Sequence, residues 1–240
     1  MKSTDEPHNN FLSFLSGEVG GASSPGKDWR YLFKLQFITH SDNPEDCYES
    51  VQKVLEGGCR WTQLRMKENP MEDIEKTALK IQLLCKKYNA VFLINDHVEL
   101  CKKINADGVH LGKNDMPPEE ARKILGNEFI IGGTCNTFEE INHIKDHVDY
   151  VGCGPFRFTS TKKDLAPVLG LKGYLNIIWN CRSRSIHIPI VAIGGITAED
   201  ISSILQSGPN GVALSGAILN AEDPEEETRR IVEIINNHII

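Results

Sequence analysis

From Lys34 to Ser215 the sequence repeats one pattern eight times, a short aliphatic or β-branched run followed by a longer amphipathic stretch. The runs are LQFIT (35 to 39), WTQLRM (61 to 66), VFLIN (91 to 95), GVHL (108 to 111), FIIGGT (129 to 134), YVGCG (150 to 154), PIVAIG (189 to 194) and GVALS (211 to 215). Each has strand length, and the intervals are long enough for a helical crossover between parallel strands. Strands interleaved with helices in this way predict an α/β fold, a (β/α)8 TIM barrel. Such a barrel fills roughly 250 residues as a single domain, so the 240-residue chain is read as a barrel domain over 34–240 behind an extension, 1–33.

The extension holds Gly, Ser, Pro and acidic residues around one apolar patch, FLSFL (11 to 15), and reads either as a mobile segment with one helical turn or as a cap on the barrel floor. Helix starts are marked by Pro44-Glu45-Asp46, Pro117-Pro118-Glu119-Glu120 and Thr197-Ala198-Glu199-Asp200, with acidic side chains where the helix N-terminus favours them. The last helix is predicted from Pro224 onward, burying Ile231, Ile234 and Ile235 along one stripe.

A net charge of −7 and a pI near 5.6 argue against nucleic acid as a partner, so any phosphate binding must be local. No apolar run approaches the roughly 20 residues of a membrane span, and the start lacks the charged and apolar regions of a signal peptide. The seven cysteines show no CxxC or Cys/His ligand spacing, and they read as reduced thiols of a cytoplasmic protein. Cys153, in GCGP, is read as a buried strand residue because no basic neighbour is evident to activate it.

In a barrel of this kind the chemistry lies at the C-terminal strand ends. Gln63, Arg65 and Lys67 alternate, so they share a face while Leu64 and Met66 turn away. Two cations on one face require carboxylates or ligand phosphates nearby. The next strand ends in Asn95-Asp96 and the following one in Gly112-Lys113-Asn114-Asp115. Strands about 4.8 Å apart let Asp96 and Asp115 converge on one ion. Mg²⁺ suits this pair, since it takes one or two carboxylates plus phosphate oxygens, whereas zinc calls for His or Cys. His110, inside the fourth strand, is read as structural and satisfied by a backbone carbonyl.

Beyond Gly152-Cys153-Gly154-Pro155, the hydroxyls of Thr159 and Thr161 and the charge of Lys162 suit an anionic substrate. Gly194-Gly195 and Leu214-Ser215-Gly216 end the last two strands, where barrels often form a phosphate site from backbone N–H groups.

The segments QLRMK, IND, ADGVHLGKND, GCGPFRFTSTK, VAIGGI and GVALSGAI, in this order from about Leu35 to Ile218, resemble the thiamine phosphate synthase family. The resemblance implies an Mg²⁺-dependent transferase that joins a hydroxymethylpyrimidine diphosphate to a thiazole phosphate, releasing pyrophosphate and giving thiamine monophosphate. It implies that Gln63, Arg65, Lys67, Asn95, Thr134 and Lys162 hold the pyrimidine diphosphate and that Asp96 and Asp115 hold the metal. Thr159, Thr161, Gly195, Leu214 and Ser215, with Gly194 beside them, would hold the thiazole phosphate. Arg65 and Lys162 would stabilise the departing pyrophosphate, and the loop from Phe156 to Lys163 would close over the site. The partners implied are small molecules, with a homo-oligomer left open.

The sequence departs from the family's pattern in three places. Thr134 stands where Ser is usual, Asn136 lies near a common His, and Phe156-Arg157-Phe158 is bulkier than the usual loop. Two other readings compete. One is a thiazole tautomerase relative, which uses a nearby His and tends to lose the metal and diphosphate residues; the other is a noncatalytic phosphate-binding barrel. Retention of Arg65, Lys67, Asp96, Asp115 and Lys162 favours the synthase.

Overall fold

The structure, a computed structural model, describes residues 33–158 and 166–238. Residues 1–32 of the expected extension and the 159–163 part of the expected lid lie outside them, while Phe33, assigned to the extension, is described with the barrel, and all described residues fall in one compact unit. Eight parallel strands close in sequence order into a barrel. They are β1 (Leu35–Ile38), β2 (Trp61–Leu64), β3 (Val91–Asn95), β4 (Gly108–Leu111), β5 (Ile130–Cys135), β6 (Tyr150–Cys153), β7 (Ile190–Ile193) and β8 (Gly211–Leu214). The closing pair aligns Leu35 with Val212 and Phe37 with Leu214.

The helices between them are α1 (Pro44–Glu56), α2 (Met71–Lys87), α3 (Val98–Ile104), α4 (Pro118–Leu125), α5 (Phe138–Ile144), α6 (Gly170–Ser183), α7 (Ile201–Gln206), α8 (Gly216–Leu219) and α9 (Pro224–His238). At α1 the expected start holds: Asn43 accepts from Glu45 N at 2.9 Å, Pro44 opens the helix and Glu45 and Asp46 follow. The start expected at Thr197 differs. There Ala198–Asp200 forms a 3₁₀ turn first, because the Thr197 and Asp200 side chains close a capping box across it. In α9, Ile231 and Ile235 are buried and Ile234 is partly so, as its spacing predicts.

Period-two alternation sorts the strand residues. Leu35, Phe37, Leu64, Phe92, Ile94, Val109, Leu111, Ile131 and Val151 join the core between sheet and helices. The alternate positions fill the barrel. At its floor Phe33, Trp61 and Tyr150 pack with ring centroids 4.6–5.2 Å apart. Above them comes a polar layer of Gln36, Gln63 and His110, then the open mouth. Aromatic packing at the closed end and polar groups at the other give the barrel one chemically equipped face.

Candidate functional site

The mouth opens into a cavity of about 1260 Å³ bounded by residues that follow most of the strands. Strand β2 stops at Leu64, short of the expected Met66, yet the alternation persists: Leu64 and Met66 are buried while Arg65 and Lys67 line the cavity. The strand ends there because Thr39 intervenes. Its hydroxyl accepts from Arg65 N at 2.8 Å, taking the place of a ladder carbonyl, and donates to Arg65 O at 3.3 Å. The Arg65 guanidinium reaches His40 Nδ1 at 3.3 Å. Thr39, His40, Ser41 and Asp42 all line the cavity, and none was singled out from sequence. Their signal was available, since they follow the first strand as Asp96 follows the third.

Asp96 adopts a left-handed backbone, φ 66°, and its N–H donates to His110 O at 3.0 Å. A non-glycine residue held there stores strain of about 1–3 kcal/mol, which its surroundings must impose. The imposed geometry brings its carboxylate 3.0 Å from Lys67 Nζ and into a hydrogen bond with Asp115. Burial, the Asp115 bond and the Asp115 charge raise Asp96 to about 6 against the pull of Lys67. Asp115 is pushed up by burial, but the bond with Asp96, the Gly112 N–H, Lys67 and His110 outweigh it and hold it low. The Gly112 N–H donates to Asp115 at 2.6 Å. Two carboxylates pressed together with one lysine beside them suit a divalent ion. Among the described residues no cluster of three or more His, Cys, Asp or Glu forms.

Not every expected residue reaches the cavity. Gln63 and Asn95 are 1% and 7% exposed, do not line it, and bond to each other at 2.8 Å beneath it; Asp96 does not line it either and sits behind Lys67. Thr134 lines the cavity. His110 does too, and it is structural as expected, with side chains at both ring nitrogens: Tyr150 at Nδ1 (2.9 Å) and Thr134 at Nε2 (3.1 Å). Asn136 donates to Gly154 O, and its N–H donates to Glu140, which also binds Lys113. Cys153 is fully buried with its thiol pushed up to about 12 by burial, the inert strand residue expected.

Across the mouth, Gly194 and Gly195 have φ 97° and 68°. The carbonyls of Ile193 and Gly194 accept from Phe156 N and Arg157 N at 2.9 Å, and Arg157 Nη1 donates to Gly195 O at 2.9 Å. Arg157 also forms a two-pronged pair with Asp200 (2.8 and 2.9 Å), and Phe156 stacks on Tyr174. Phe156 and Arg157, the first residues of the expected lid, are therefore tied to the turn after β7. Thr159, Thr161 and Lys162 lie outside the described residues. Leu214 borders the cavity while its side chain packs in the outer core. Ser215, just before α8, lines the cavity, and its Oγ is buried with no partner among the described residues.

A closed barrel whose mouth sets paired carboxylates and cations on one side and a glycine loop with an unpaired hydroxyl on the other is a barrel built for anionic, phosphorylated ligands. The family described as thiamine monophosphate synthase matches residues 35–218, and the chain belongs to that family. It is 61% identical over 202 residues to the thiamine-phosphate synthase of Phocaeicola vulgatus, covering 84% of this chain and 97% of that one. It is 56% identical over 204 residues to that of Bacteroides thetaiotaomicron, covering 85% and 98%. Its structure resembles the thiamine phosphate pyrophosphorylase from Pyrococcus furiosus with a TM-score of 0.79 at 32% identity, covering 89% and 100%.

Proposed function

We propose that this chain condenses a hydroxymethylpyrimidine diphosphate with a thiazole phosphate, releasing pyrophosphate and forming thiamine monophosphate. The observation that carries this reading is that Lys67 and Asp115, with Asp96 held against Lys67 behind them, face Gly194, Gly195 and Ser215 across one cavity, room for two phosphorylated substrates together. Asp96 and Asp115 would hold Mg²⁺, which when bound neutralises charge on the diphosphate. Arg65, fixed by Thr39, and Lys67 lie where they can bind the same diphosphate. With Lys162, which the family resemblance assigns, Arg65 stabilises the charge growing on the leaving pyrophosphate. Thr134 contributes a hydroxyl from the neighbouring wall.

Gly194, Gly195 and Ser215, with Thr159 and Thr161 by resemblance, bind the thiazole phosphate. The thiazole nitrogen then attacks the carbon from which pyrophosphate departs: the C–O bond breaks with its electron pair leaving on pyrophosphate, and a C–N bond forms. A tautomerase-like activity is disfavoured because the position near its usual His is Asn136, tied to Gly154 O. Seven buried free thiols accord with a reducing, cytoplasmic setting. No helix among the described residues is long and apolar enough to cross a membrane.

Incubation of both substrates with Mg²⁺, read by mass, should give thiamine monophosphate and pyrophosphate in equal amounts. Tight binding of both substrates without pyrophosphate release would make the chain a phosphate-binding barrel instead.

A further inference from the structure

Beneath the cavity a hydrogen-bonded chain crosses the barrel interior. Gln36 Nε2 donates to Gln63 Oε1 and to the Tyr150 hydroxyl, each at 3.1 Å. Tyr150 lies 2.9 Å from His110 Nδ1, and His110 Nε2 lies 3.1 Å from Thr134 Oγ1. On the other arm Gln63 Nε2 donates to Asn95 Oδ1 at 2.8 Å. Gln36 and Tyr150 are 2% and 0% exposed, so neither touches a ligand. The space they occupy is made for them. A Cβ on Gly132 would clash with the Tyr150 ring and hydroxyl, and one on Gly152 would lie 3.0 Å from His110 Cε1.

Donor counting gives the chain a direction. An amide nitrogen only donates, so the Tyr150 oxygen accepts from Gln36 and its own proton goes to His110 Nδ1. Burial holds the tyrosine pKa well above its ordinary value, so the hydroxyl keeps that proton. A ring nitrogen that accepts carries no hydrogen, so the neutral imidazole bears its proton on Nε2 and gives it to Thr134 Oγ1. The threonine proton is then left for the cavity that Thr134 lines.

The geometry points to Gln36 and Tyr150 as positioning residues that, acting through His110, set the Thr134 hydroxyl as a hydrogen-bond donor toward an acceptor atom of the diphosphate-bearing substrate. Reversing the chain would require Gln36, Gln63 and Asn95 to turn over together and would present lone pairs instead, so the direction selects the ligand edge.

The test uses the full chain with ¹⁵N-labelled histidine. In the wild type, which needs no variant, His110 should show a proton-bearing Nε2 and a bare Nδ1. In Tyr150→Phe the Nδ1 signal should shift toward the protonated value as the second tautomer populates. The kinetic arm rests on the synthase reading. Tyr150→Phe should raise KM for the pyrimidine diphosphate about tenfold. It should leave KM for the thiazole phosphate and kcat within about twofold, and the effect should vanish in a Thr134→Val background.

A wild-type His110 protonated on Nδ1 would overturn the inference. So would a Tyr150→Phe effect undiminished by Thr134→Val, or a fall in Tm with the tautomer unchanged. A chain that makes no thiamine phosphate but shows the Nε2 tautomer shifting in Tyr150→Phe would sink the synthase reading alone.

Discussion

Lys67 Nζ lies 3.0 Å from Asp96 Oδ2, and the same carboxylate is hydrogen-bonded to Asp115. Once both carboxyls ionise, one ammonium against two carboxylates leaves negative charge uncompensated, and a cation relieves it. Asp96→Asn and Asp115→Asn keep the shape and remove the charge. Each should lower kcat by roughly a hundredfold or more and abolish the rise in Tm that Mg²⁺ gives the unaltered protein. Turnover undiminished in enzyme verifiably stripped of metal would remove Mg²⁺ from the mechanism.

The same pair sets a pH dependence. Asp96 is raised to about 6, whereas an unfolded aspartate titrates at about 3.9. The folded state therefore holds this proton more tightly, and the metal-free protein gains stability from Asp96 as pH falls through about 6. A cation must displace the proton. The Mg²⁺-induced rise in Tm should be full near pH 8 and fade below about 6. Thermal melts with and without Mg²⁺ across this range check it, and an equal effect at about pH 5 and about pH 8 would put the ion elsewhere.

The strands were legible because a parallel barrel buries both strand faces, so each reads as a compact apolar run ended by polar or glycine residues. The carboxylates and the glycine pair were legible for the same reason, as strand ends. What sequence did not reveal depends on groups far apart in the chain. Strand β2 ends where the Thr39 hydroxyl, 26 residues away, takes the Arg65 N–H. His110 is engaged by side chains 24 and 40 residues distant. Gln63 and Asn95 occupy positions expected to face a ligand, but each finds its partner in the other. The anchoring of Phe156 and Arg157 likewise needs carbonyls from β7 and the turn after it.

Gly194 offers a test of the glycine turn. Its φ of 97° is a left-handed conformation, and a Cβ there would lie 2.7 Å from Pro155 Cβ. Gly194→Ala should cost about 1–3 kcal/mol of stability, read as a lower denaturation midpoint. It should also weaken thiazole phosphate binding more than pyrimidine diphosphate binding in calorimetric titrations. Equal losses for both substrates would show that the turn supports the whole mouth rather than one phosphate.

The bonds of Phe156 and Arg157 make the last prediction. Their N–H groups donate to Ile193 O and Gly194 O at 2.9 Å, and the Phe156 carbonyl accepts from Gly170 N at 3.1 Å. Phe156 is 9% exposed against Tyr174, and the Arg157 guanidinium spans Gly195 O and Asp200. Opening this segment would break two backbone bonds to the β7 turn and expose a buried ring, so it should stay closed whether or not ligand is present. Hydrogen exchange at these two amides should be slow in the free protein and change little when pyrophosphate and thiazole phosphate are added. Fast exchange at both, slowed only by ligand, would make Phe156 the hinge after all and move the ordering entropy of closure onto the β7 turn.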